Sequence, residues 1–237
     1  MKSILILDCG SRFLHELEAS VISTDVAAVI RMVPARDPSV LIETRYPVLK
    51  PDDITSIHPS GVVISGTPYY LYTPRGRIPP PGFFKSLIDH AVPVLGVCGG
   101  HELLAHLISA HHSNGKPQRV IGANPSGHHE AIEPSKNPCE FSWYTDRPES
   151  KKTGEFLFAS LPSRFPVWMY HIHQLLLLPP RCTVLGGTPE TPIGAMAYAS
   201  SPSRDPSLFG VQFHPEVSLD PVRKAIFSNF LSHCESN

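Results

Sequence analysis

The sequence predicts an α/β fold, in which a mainly parallel central sheet is flanked by helices and accompanied by a smaller antiparallel sheet. Short apolar runs alternate with helix-like stretches in the first half of the chain. Strands that alternate with helices form right-handed βαβ units, which build a parallel sheet. In the second half, strand-like segments follow one another closely, which predicts hairpins. The length of 237 residues is that of one domain, residues 1–237.

The first half begins with a strand, a helix and a second strand. The β-branched and Leu-rich run at residues 3–7 ends at Asp8 and predicts a buried strand. The amphipathic stretch that follows predicts a helix over residues 13–32. Residues 40–46 alternate apolar and polar side chains, as a half-buried strand does, and the Pro-Asp-Asp sequence at 51–53 is typical of a helix start.

Two continuous apolar runs, residues 61–65 and 92–97, predict fully buried strands of a parallel sheet. Residues 83–90 between them have the pattern of a helix. Another helix is predicted over residues 99–109, directly after Cys98. These elements complete the alternation on which the α/β prediction depends.

The second half is predicted to be richer in strands. Its elements are hairpin-forming strands at residues 116–132 and 167–185, strands at 192–199 and 208–213, and a last helix at 221–232. Pro221 lies near the first turn of that helix, where proline is favoured. The polar stretch 137–154 and the stretch 200–207, rich in Ser and Pro, predict surface loops.

Composition and charge exclude several classes of protein. A formal net charge of −1 gives no field that would attract a phosphate backbone, so no nucleic-acid partner is expected. No apolar run approaches the roughly 20 residues of a membrane span, so no membrane partner is expected either. The first residues also lack the features of a signal peptide. Five cysteines without a C-x-x-C pair predict neither disulfides nor zinc, and favour a reducing, cytoplasmic location.

The segment around Cys98 predicts a nucleophile. A Gly-Val-Cys-Gly-Gly sequence places Cys98 between a buried strand and a helix. In the analogous G-x-S-x-G turn the nucleophile adopts a strained conformation that small neighbours permit. The helix N-terminus favours a thiolate, and the amide of Gly99 is placed to donate to an oxyanion. The alternative is a buried structural cysteine whose glycines serve packing.

A cysteine nucleophile needs a base and a group that orients it. His214 follows an apolar strand, and Glu216 comes two residues later, with Pro215 stiffening the turn between them. One short backbone segment therefore supplies an imidazole and a carboxylate. The alternative is a histidine at a strand end beside a solvated glutamate.

Together with the Ile-Ser-Gly-Thr-Pro sequence at residues 64–68, these segments resemble the class I (triad) glutamine amidotransferases over nearly the whole chain. The pattern is most similar to the glutaminase domain of GMP synthetases, and the small γ-glutamyl peptidases of the same superfamily are nearly as close. The resemblance implies a flavodoxin-like fold without cofactor or metal. It also implies that Cys98 attacks a carboxamide, that His214 passes the proton to departing ammonia, and that Glu216 orients His214.

The resemblance further implies an oxyanion and substrate-binding site. Its implied residues are Gly66, Thr67, Gly99, Glu102, Tyr170, His171 and His173. Four positions depart from the family pattern, which has Gly in place of Thr67, Gln in place of Glu102, and often Gly-Asp in place of Ile172-His173. The carboxylate of Glu102 repels an α-carboxylate and favours an ammonium or neutral group. We therefore hypothesise that the amide that is cleaved does not belong to free glutamine.

The remaining histidines and the loop at residues 69–81 are open to two interpretations each. His111-His112 and His128-His129 have the appearance of metal ligands, but no Asp, Glu or Cys set completes a site, so no metal is predicted. His101 and His106 on the helix after Cys98 are expected to be structural. The loop, rich in Tyr, Pro and Arg, is either solvated or a lid over the substrate.

Three hypotheses for the function stay open. The first is a glutaminase that passes ammonia to a separate synthetase chain. The second is a free-standing cysteine hydrolase that cleaves a γ-glutamyl or other small-molecule amide. The third is a non-catalytic binding module, which the presence of Cys98, His214 and Glu216 disfavours.

Overall fold

The computed structural model describes residues 3–22, 26–40, 45–113, 118–123, 139–201 and 203–236. The helices are α1 Leu14–Ile22, α2 Asp53–Ile57, α3 Phe83–Asp89, α4 Gly99–His112, α5 Pro148–Phe158 and α6 Val222–Ser236, with a 3₁₀ turn at Pro215–Val217. The strands are β1 Ser3–Asp8, β2 Ala27–Met32, β3 Gly61–Ile64, β4 Val94–Val97, β5 Ile121–Ala123, β6 Cys139–Trp143, β7 Arg164–Val167, β8 His173–Leu175, β9 Cys182–Gly187, β10 Ala195–Tyr198 and β11 Leu208–Val211.

A nine-stranded sheet lies at the centre of the described part, in the order β2-β1-β3-β4-β11-β10-β9-β6-β7. The strands from β2 to β11 in this order are parallel, and the remaining strands continue the sheet in antiparallel fashion. A separate two-stranded antiparallel sheet consists of β5 and β8. The α/β fold predicted from the sequence, with its central sheet and its smaller antiparallel sheet, is confirmed.

Helices cover both faces of the central sheet, and β1 shows how. Ile4 and Ile6 pack on the face covered by α1, α5 and α6, whereas Leu5 and Leu7 pack on the face covered by α2, α3 and α4. Successive side chains of a strand point to opposite faces, so a strand buried on both sides must be continuously apolar. This requirement explains the unbroken apolar runs of the sequence. Within the described residues, no helix has both the length and the apolar character needed to cross a membrane.

The prediction of a helix over residues 13–32 is wrong for the second half of this segment. The helix ends at Ile22, and Ala27–Met32 forms β2, which pairs in parallel with β1. Val29 and Ile30 favour a strand, and β1 offers an edge with which this segment can form hydrogen bonds. The pairing between distant segments therefore overrides the helical periodicity.

The prediction of a surface loop at residues 137–154 is also wrong. Cys139–Trp143 forms β6, which pairs with β7 and β9, and Pro148–Phe158 forms α5. Phe141 and Trp143 are buried on one face of β6, because they alternate with polar neighbours in the strand period of two. Pro148 stands at the start of α5, where its missing N–H costs nothing.

The hairpin predicted within residues 167–185 does not form. β8 instead pairs with β5, with Ile121 opposite Leu175, while β9 pairs with β10 and β6. Of the predicted strand at 40–46, residues 41–44 lie outside the described part of the chain. Of the predicted hairpin at 116–132, only residues 118–123 are described, and they contain β5.

The parallel half of the sheet places several chain turns at one edge. β1, β3, β4 and β11 run in the same direction, so their carboxyl ends lie side by side. The residues that follow these ends are 9–13, 65–68, 98–99 and 212–214. In open α/β sheets, ligands bind at this edge.

Candidate active site

Cys98 forms a sharp turn between β4 and α4. Its backbone has φ 52° and ψ −109°, a conformation that costs a residue with a side chain roughly 1–3 kcal/mol. The turn is possible because the neighbouring glycines let the backbones approach closely. A Cβ on Gly96 would lie 2.6 Å from the Gly100 carbonyl oxygen, and one on Gly100 would lie 2.3 Å from the Ile64 oxygen. The Cys98 side chain is buried at the carboxyl edge of the sheet.

His214 and Glu216 follow β11, the neighbour of β4 in the sheet. The backbone amide of His214 donates to the Trp168 oxygen at 2.8 Å, which fixes the start of the turn. Nδ1 of His214 lies 2.7 Å from Oε1 of Glu216, and both side chains are buried. A histidine and a carboxylate that are two residues apart therefore form a direct hydrogen bond inside the protein.

The charge of Glu216 acts on the protonation of His214. Burial by itself lowers the pKa of His214, but the carboxylate of Glu216 and then Cys98 raise it well above the usual value. Nε2, the other ring nitrogen, is buried and has no hydrogen-bond partner among the described residues. The imidazole is therefore held at Nδ1 by Glu216, and Cys98 is close enough to affect its protonation.

Gly66 lies where the side chains of Cys98 and His214 meet. A Cβ at Gly66 would be 3.1 Å from Cε1 of His214 and 3.6 Å from Cβ of Cys98. The structure therefore brings Cys98 and His214 together at one glycine, with Glu216 bound to His214, although Cys98 lies far from the other two in the chain. A larger residue at position 66 would push the imidazole away from the thiol.

Thr67 and Gly99 lie against each other beside Cys98. A Cβ on Gly99 would lie 2.8 Å from the backbone nitrogen of Thr67 and 2.3 Å from its methyl carbon. The Thr67 hydroxyl accepts a hydrogen bond from the Tyr69 amide at 3.2 Å, so its polar end faces the loop. The backbone of Thr67 therefore lies directly against the first residue of α4, beside Cys98.

Glu102 lies one helical turn after Cys98 and lines the same cavity. Its Oε1 accepts a hydrogen bond from Nε2 of Gln212 at 3.2 Å, and that nitrogen is 4.0 Å from Sγ of Cys98. Burial raises the pKa of Glu102 to about 7, and the Gln212 hydrogen bond offsets only part of this effect. No described residue forms an ion pair with its carboxylate. Gln212 is a site residue that the sequence analysis did not single out.

Tyr170, His171 and His173 form another wall of the cavity. The Tyr170 carbonyl oxygen lies 3.5 Å from Sγ of Cys98. His171 binds the His173 oxygen through Nδ1 at 2.8 Å, and burial lowers the pKa of His171 to about 4, so its ring is neutral. The His173 ring stacks on Tyr70 with centroids 3.9 Å apart. Burial, followed by the charge of Arg119, lowers the pKa of His173 as well.

The cavity above Cys98 has a volume of about 500 Å³. Its wall includes Ser11, Arg12 and Phe13 from the turn after β1, which the sequence analysis did not assign. The Phe13 ring is 5.0 Å from the His214 ring, and Arg12 lies over the rings of Phe13 and Tyr170. Their position directly after a parallel strand was the available signal, because such turns meet at one edge of the sheet.

The loop at residues 69–81 is packed in part, with Pro74, Arg75 and Pro81 exposed at the surface. Arg77 is buried and donates to the Val33 oxygen at 3.1 Å, and its guanidinium lies over the Tyr69 ring. Tyr69 and Tyr70 line the cavity, and the Tyr70 hydroxyl accepts a hydrogen bond from Arg119 at 2.9 Å. The solvated alternative is therefore wrong for Arg77 but fits Arg75, and the lid role stays a prediction.

His101, His106 and His112 have packing partners. His101 is fully buried, its Nε2 lies 3.2 Å from the Ile193 oxygen, and burial lowers its pKa to about 3. His106 lies beside Tyr72, and His112 beside Tyr198. The described part of the chain holds no group of three or more potential metal ligands. The pair at residues 128–129 lies outside it.

Comparison with known proteins connects this geometry to a family. The family model described as "Glutamine amidotransferase class-I" matches residues 5–234. The GMP synthase of Thermomicrobium roseum is 31% identical over 229 residues, which are 97% of this chain and 34% of that protein. A glutamine-hydrolyzing GMP synthase subunit of Thermococcus kodakarensis is 26% identical over 235 residues and is covered to 98% of its length. The chain therefore spans about a third of the length of the first relatives it matches, and nearly all of the Thermococcus protein.

Two solved structures share the fold. A GMP synthase subunit from Thermoplasma acidophilum superposes with a TM-score of 0.68 at 20% identity, over 100% of this chain and 95% of that one. The glutaminase domain of Trypanosoma brucei CTPS, solved with bound acivicin, gives a TM-score of 0.55 at 11% identity, with the same coverage. At these identities the likeness concerns the fold.

Proposed function

Because the chain belongs to the class-I glutamine amidotransferase family, we propose that it hydrolyses a side-chain carboxamide of the glutamine type and passes the ammonia to a separate synthetase chain. One observation supports this proposal most directly. Cys98 occupies a strained turn beside the buried His214–Glu216 pair, and its side chain meets the imidazole over Gly66. This geometry supports the proposed roles of Cys98 as nucleophile, His214 as base and Glu216 as orienting group.

The first half of the reaction forms a thioester. His214 takes the thiol proton at Nε2, and the thiolate of Cys98 attacks the amide carbon to give a tetrahedral oxyanion. The C–N bond then breaks, and His214 returns the proton to the departing nitrogen, which leaves as ammonia. Glu216 holds Nδ1 and stabilises the imidazolium that exists between the two transfers.

The second half releases the acid. Water attacks the thioester carbon and His214 accepts the water proton. The C–S bond then breaks, and His214 gives that proton to the sulfur of Cys98, which restores the thiol. Both tetrahedral intermediates carry a negative oxygen, and the adjacent amides of Thr67 and Gly99 are the proposed donors to it. All steps use protein groups and water, so the proposal includes no cofactor and no metal.

Ammonia transfer is the part of the proposal that requires a partner. The Thermococcus relative, which is similar in length to this chain, is named as one subunit of a GMP synthase. The longer relatives carry about two thirds of their length outside the region that matches this chain. We propose that a synthetase on a separate chain receives the ammonia, as the name of the Thermococcus relative suggests.

A second candidate function is that of a free-standing hydrolase of a γ-glutamyl or other small-molecule amide. Glu102 favours it, because its carboxylate faces the cavity in which the head group of the substrate would bind. The volume of about 500 Å³ also leaves room for an acyl donor larger than glutamine. Under this proposal no synthetase is needed for full activity.

The test measures ammonia release from glutamine by the wild-type chain, by Cys98→Ala and by a matched control variant, Cys182→Ala. The proposal expects ammonia from the wild type and from Cys182→Ala, and none from Cys98→Ala. A glutamine-analogue electrophile such as acivicin should modify Cys98 alone. Stimulation by a synthetase chain that co-purifies favours the first candidate. Absence of glutamine hydrolysis, together with cleavage of γ-glutamyl amides, favours the second.

A further inference from the structure

The cavity contains an acidic group without a counter-charge. Glu102 is buried beside Cys98, and its one described hydrogen bond comes from the uncharged amide of Gln212. A buried carboxylate without a cation is costly, since it has lost its hydration and gained no ion pair. A site with this deficit is suited to a ligand that brings positive charge.

Glu102 is the member of the Glu102–Gln212 contact that lines the cavity, since Gln212 is fully buried and donates to Glu102. The Gln212 amide therefore holds the carboxylate in place but brings no charge to it. An ammonium group has three N–H donors and a positive charge, which is the complement of the Glu102 carboxylate.

The rest of the wall is compatible with a cation. The rings of Phe13, Tyr69, Tyr70 and Tyr170 line the cavity, and aromatic faces attract ammonium groups. His171 is neutral and does not repel a cation. Arg12 is the one Lys or Arg that lines the cavity within the described ranges, and it lies over Phe13 and Tyr170.

We infer that the Glu102 carboxylate, which Gln212 holds in place, binds the ammonium group of the acyl donor, so that the site selects amides that carry an ammonium and does not require a carboxylate beside it. This inference rests on the proposed function, since it concerns the head group of the amide that Cys98 attacks. The chemical class is an ω-amino carboxamide, or a γ-glutamyl amide whose α-ammonium is free. Amides that carry a carboxylate without an ammonium are excluded.

Two fragments of glutamine separate the contribution of the ammonium group to binding from that of the carboxylate. 4-Aminobutanamide keeps the ammonium and lacks the carboxylate, whereas glutaramate keeps the carboxylate and lacks the ammonium. Binding of each is measured by calorimetry to Cys98→Ala, which cannot turn over. We expect 4-aminobutanamide to bind about tenfold or more tightly than glutaramate, the effect of one charge-assisted hydrogen bond.

The variant Glu102→Gln in the Cys98→Ala background keeps the shape and removes the charge. The preference for 4-aminobutanamide over glutaramate should fall about tenfold, and Glu102→Ala should also lower this preference. Glu149→Gln, an exposed glutamate on α5, is the matched control and should leave the preference unchanged. An unchanged preference in both Glu102 variants, a preference for glutaramate, or no binding of 4-aminobutanamide overturns the inference.

Turnover by the wild type separates this inference from the proposed function. An ammonium preference in binding without ammonia release from any amide would overturn the proposed function and support the ammonium site. Ammonia release together with a binding preference that ignores Glu102 would support the proposed function and overturn the ammonium site.

Discussion

Nδ1 of His214 lies 2.7 Å from Oε1 of Glu216, and both side chains are buried. The hydrogen bond fixes which nitrogen of the ring faces Glu216 and leaves Nε2 for Cys98. The same contact holds the pKa of His214 well above its usual value against the opposing effect of burial. The orientation of the base therefore depends on one carboxylate, and its protonation depends on that carboxylate together with Cys98.

Replacing that carboxylate by an amide tests this dependence. Glu216→Gln keeps the side-chain shape but removes the charge, so the imidazolium loses its stabilisation and either nitrogen can carry the proton. We expect the rate of ammonia release to fall by about 10² or more. Glu149→Gln serves as the surface control. A Glu216→Gln rate within a factor of about two of the wild type would contradict the role of Glu216.

A stability difference that depends on pH should report the ionisation of Glu102. Its folded pKa of about 7 lies above the value of 4.5 of an unperturbed glutamate, because burial disfavours the charged form. The groups that face it are Gln212, Cys98 and Tyr72, and none of them is cationic. The folded state therefore holds the proton between pH 4.5 and 7 while the unfolded state releases it.

This contribution to stability is complete below pH 4.5 and is lost as the pH rises through 7. Wild type should lose about 3 kcal/mol of unfolding free energy relative to Glu102→Gln between about pH 4.5 and 8. Denaturant unfolding of both chains at the two pH values measures the difference. A constant difference between the chains would show that Glu102 has an ordinary pKa.

The close approach of the backbones at the turn between β4 and α4 predicts the effect of adding one methyl group at Gly100. Gly100→Ala places a Cβ 2.3 Å from the Ile64 oxygen, which belongs to the rigid neighbouring strand. Alanine is otherwise favoured over glycine in a helix by up to about 1 kcal/mol. We expect a net loss of stability of about 1–3 kcal/mol and loss of activity, because the helix that carries Cys98 must shift. A more stable, active Gly100→Ala would contradict the packing of this turn.

An aromatic cluster supports the segment that carries His214. Phe141 of β6 packs against the rings of Phe158, Phe165 and Phe213, with centroid distances of 5.8, 5.3 and 5.1 Å. Phe141→Ala should lower the free energy of unfolding by about 3–5 kcal/mol. Because Phe213 precedes His214, the activity should fall by more than the loss of folded protein explains. Leu219→Ala, at an exposed position, should change stability by less than about 0.5 kcal/mol.

Several features were predictable because their causes are local. The strand before Cys98, the glycines around it and the helix after it are neighbours in sequence, so the pattern predicts the turn without knowledge of the rest. His214 and Glu216 are two residues apart, and their hydrogen bond spans one short turn. The apolar runs of β1, β3 and β4 indicate burial on both faces, and this alone predicts the parallel sheet.

Other features depend on which segments pair. The apolar pattern of residues 27–32 fits a helix face as well as a strand, and the open edge of β1 decides for the strand. Phe141 and Trp143 lie in a polar stretch, so their alternation did not indicate a strand in the sequence. The pairing of β6 with β7 and β9 determines that this segment is a strand. Hydrogen bonds between strands exist only between particular partners, and periodicity does not identify the partner.

The sequence by itself determined the α/β class, the position of Cys98 in a strand-to-helix turn, and the pairing of His214 with Glu216, since each follows from residues a few positions apart. Only the tertiary structure decided that Gln212 connects Glu102 with Cys98, that Phe13 lies against His214, and that Arg77 anchors the loop at residues 69–81. These contacts join turns that follow different strands. The order of the strands in the sheet, which burial and hydrogen bonding decide together, determines which turns become neighbours.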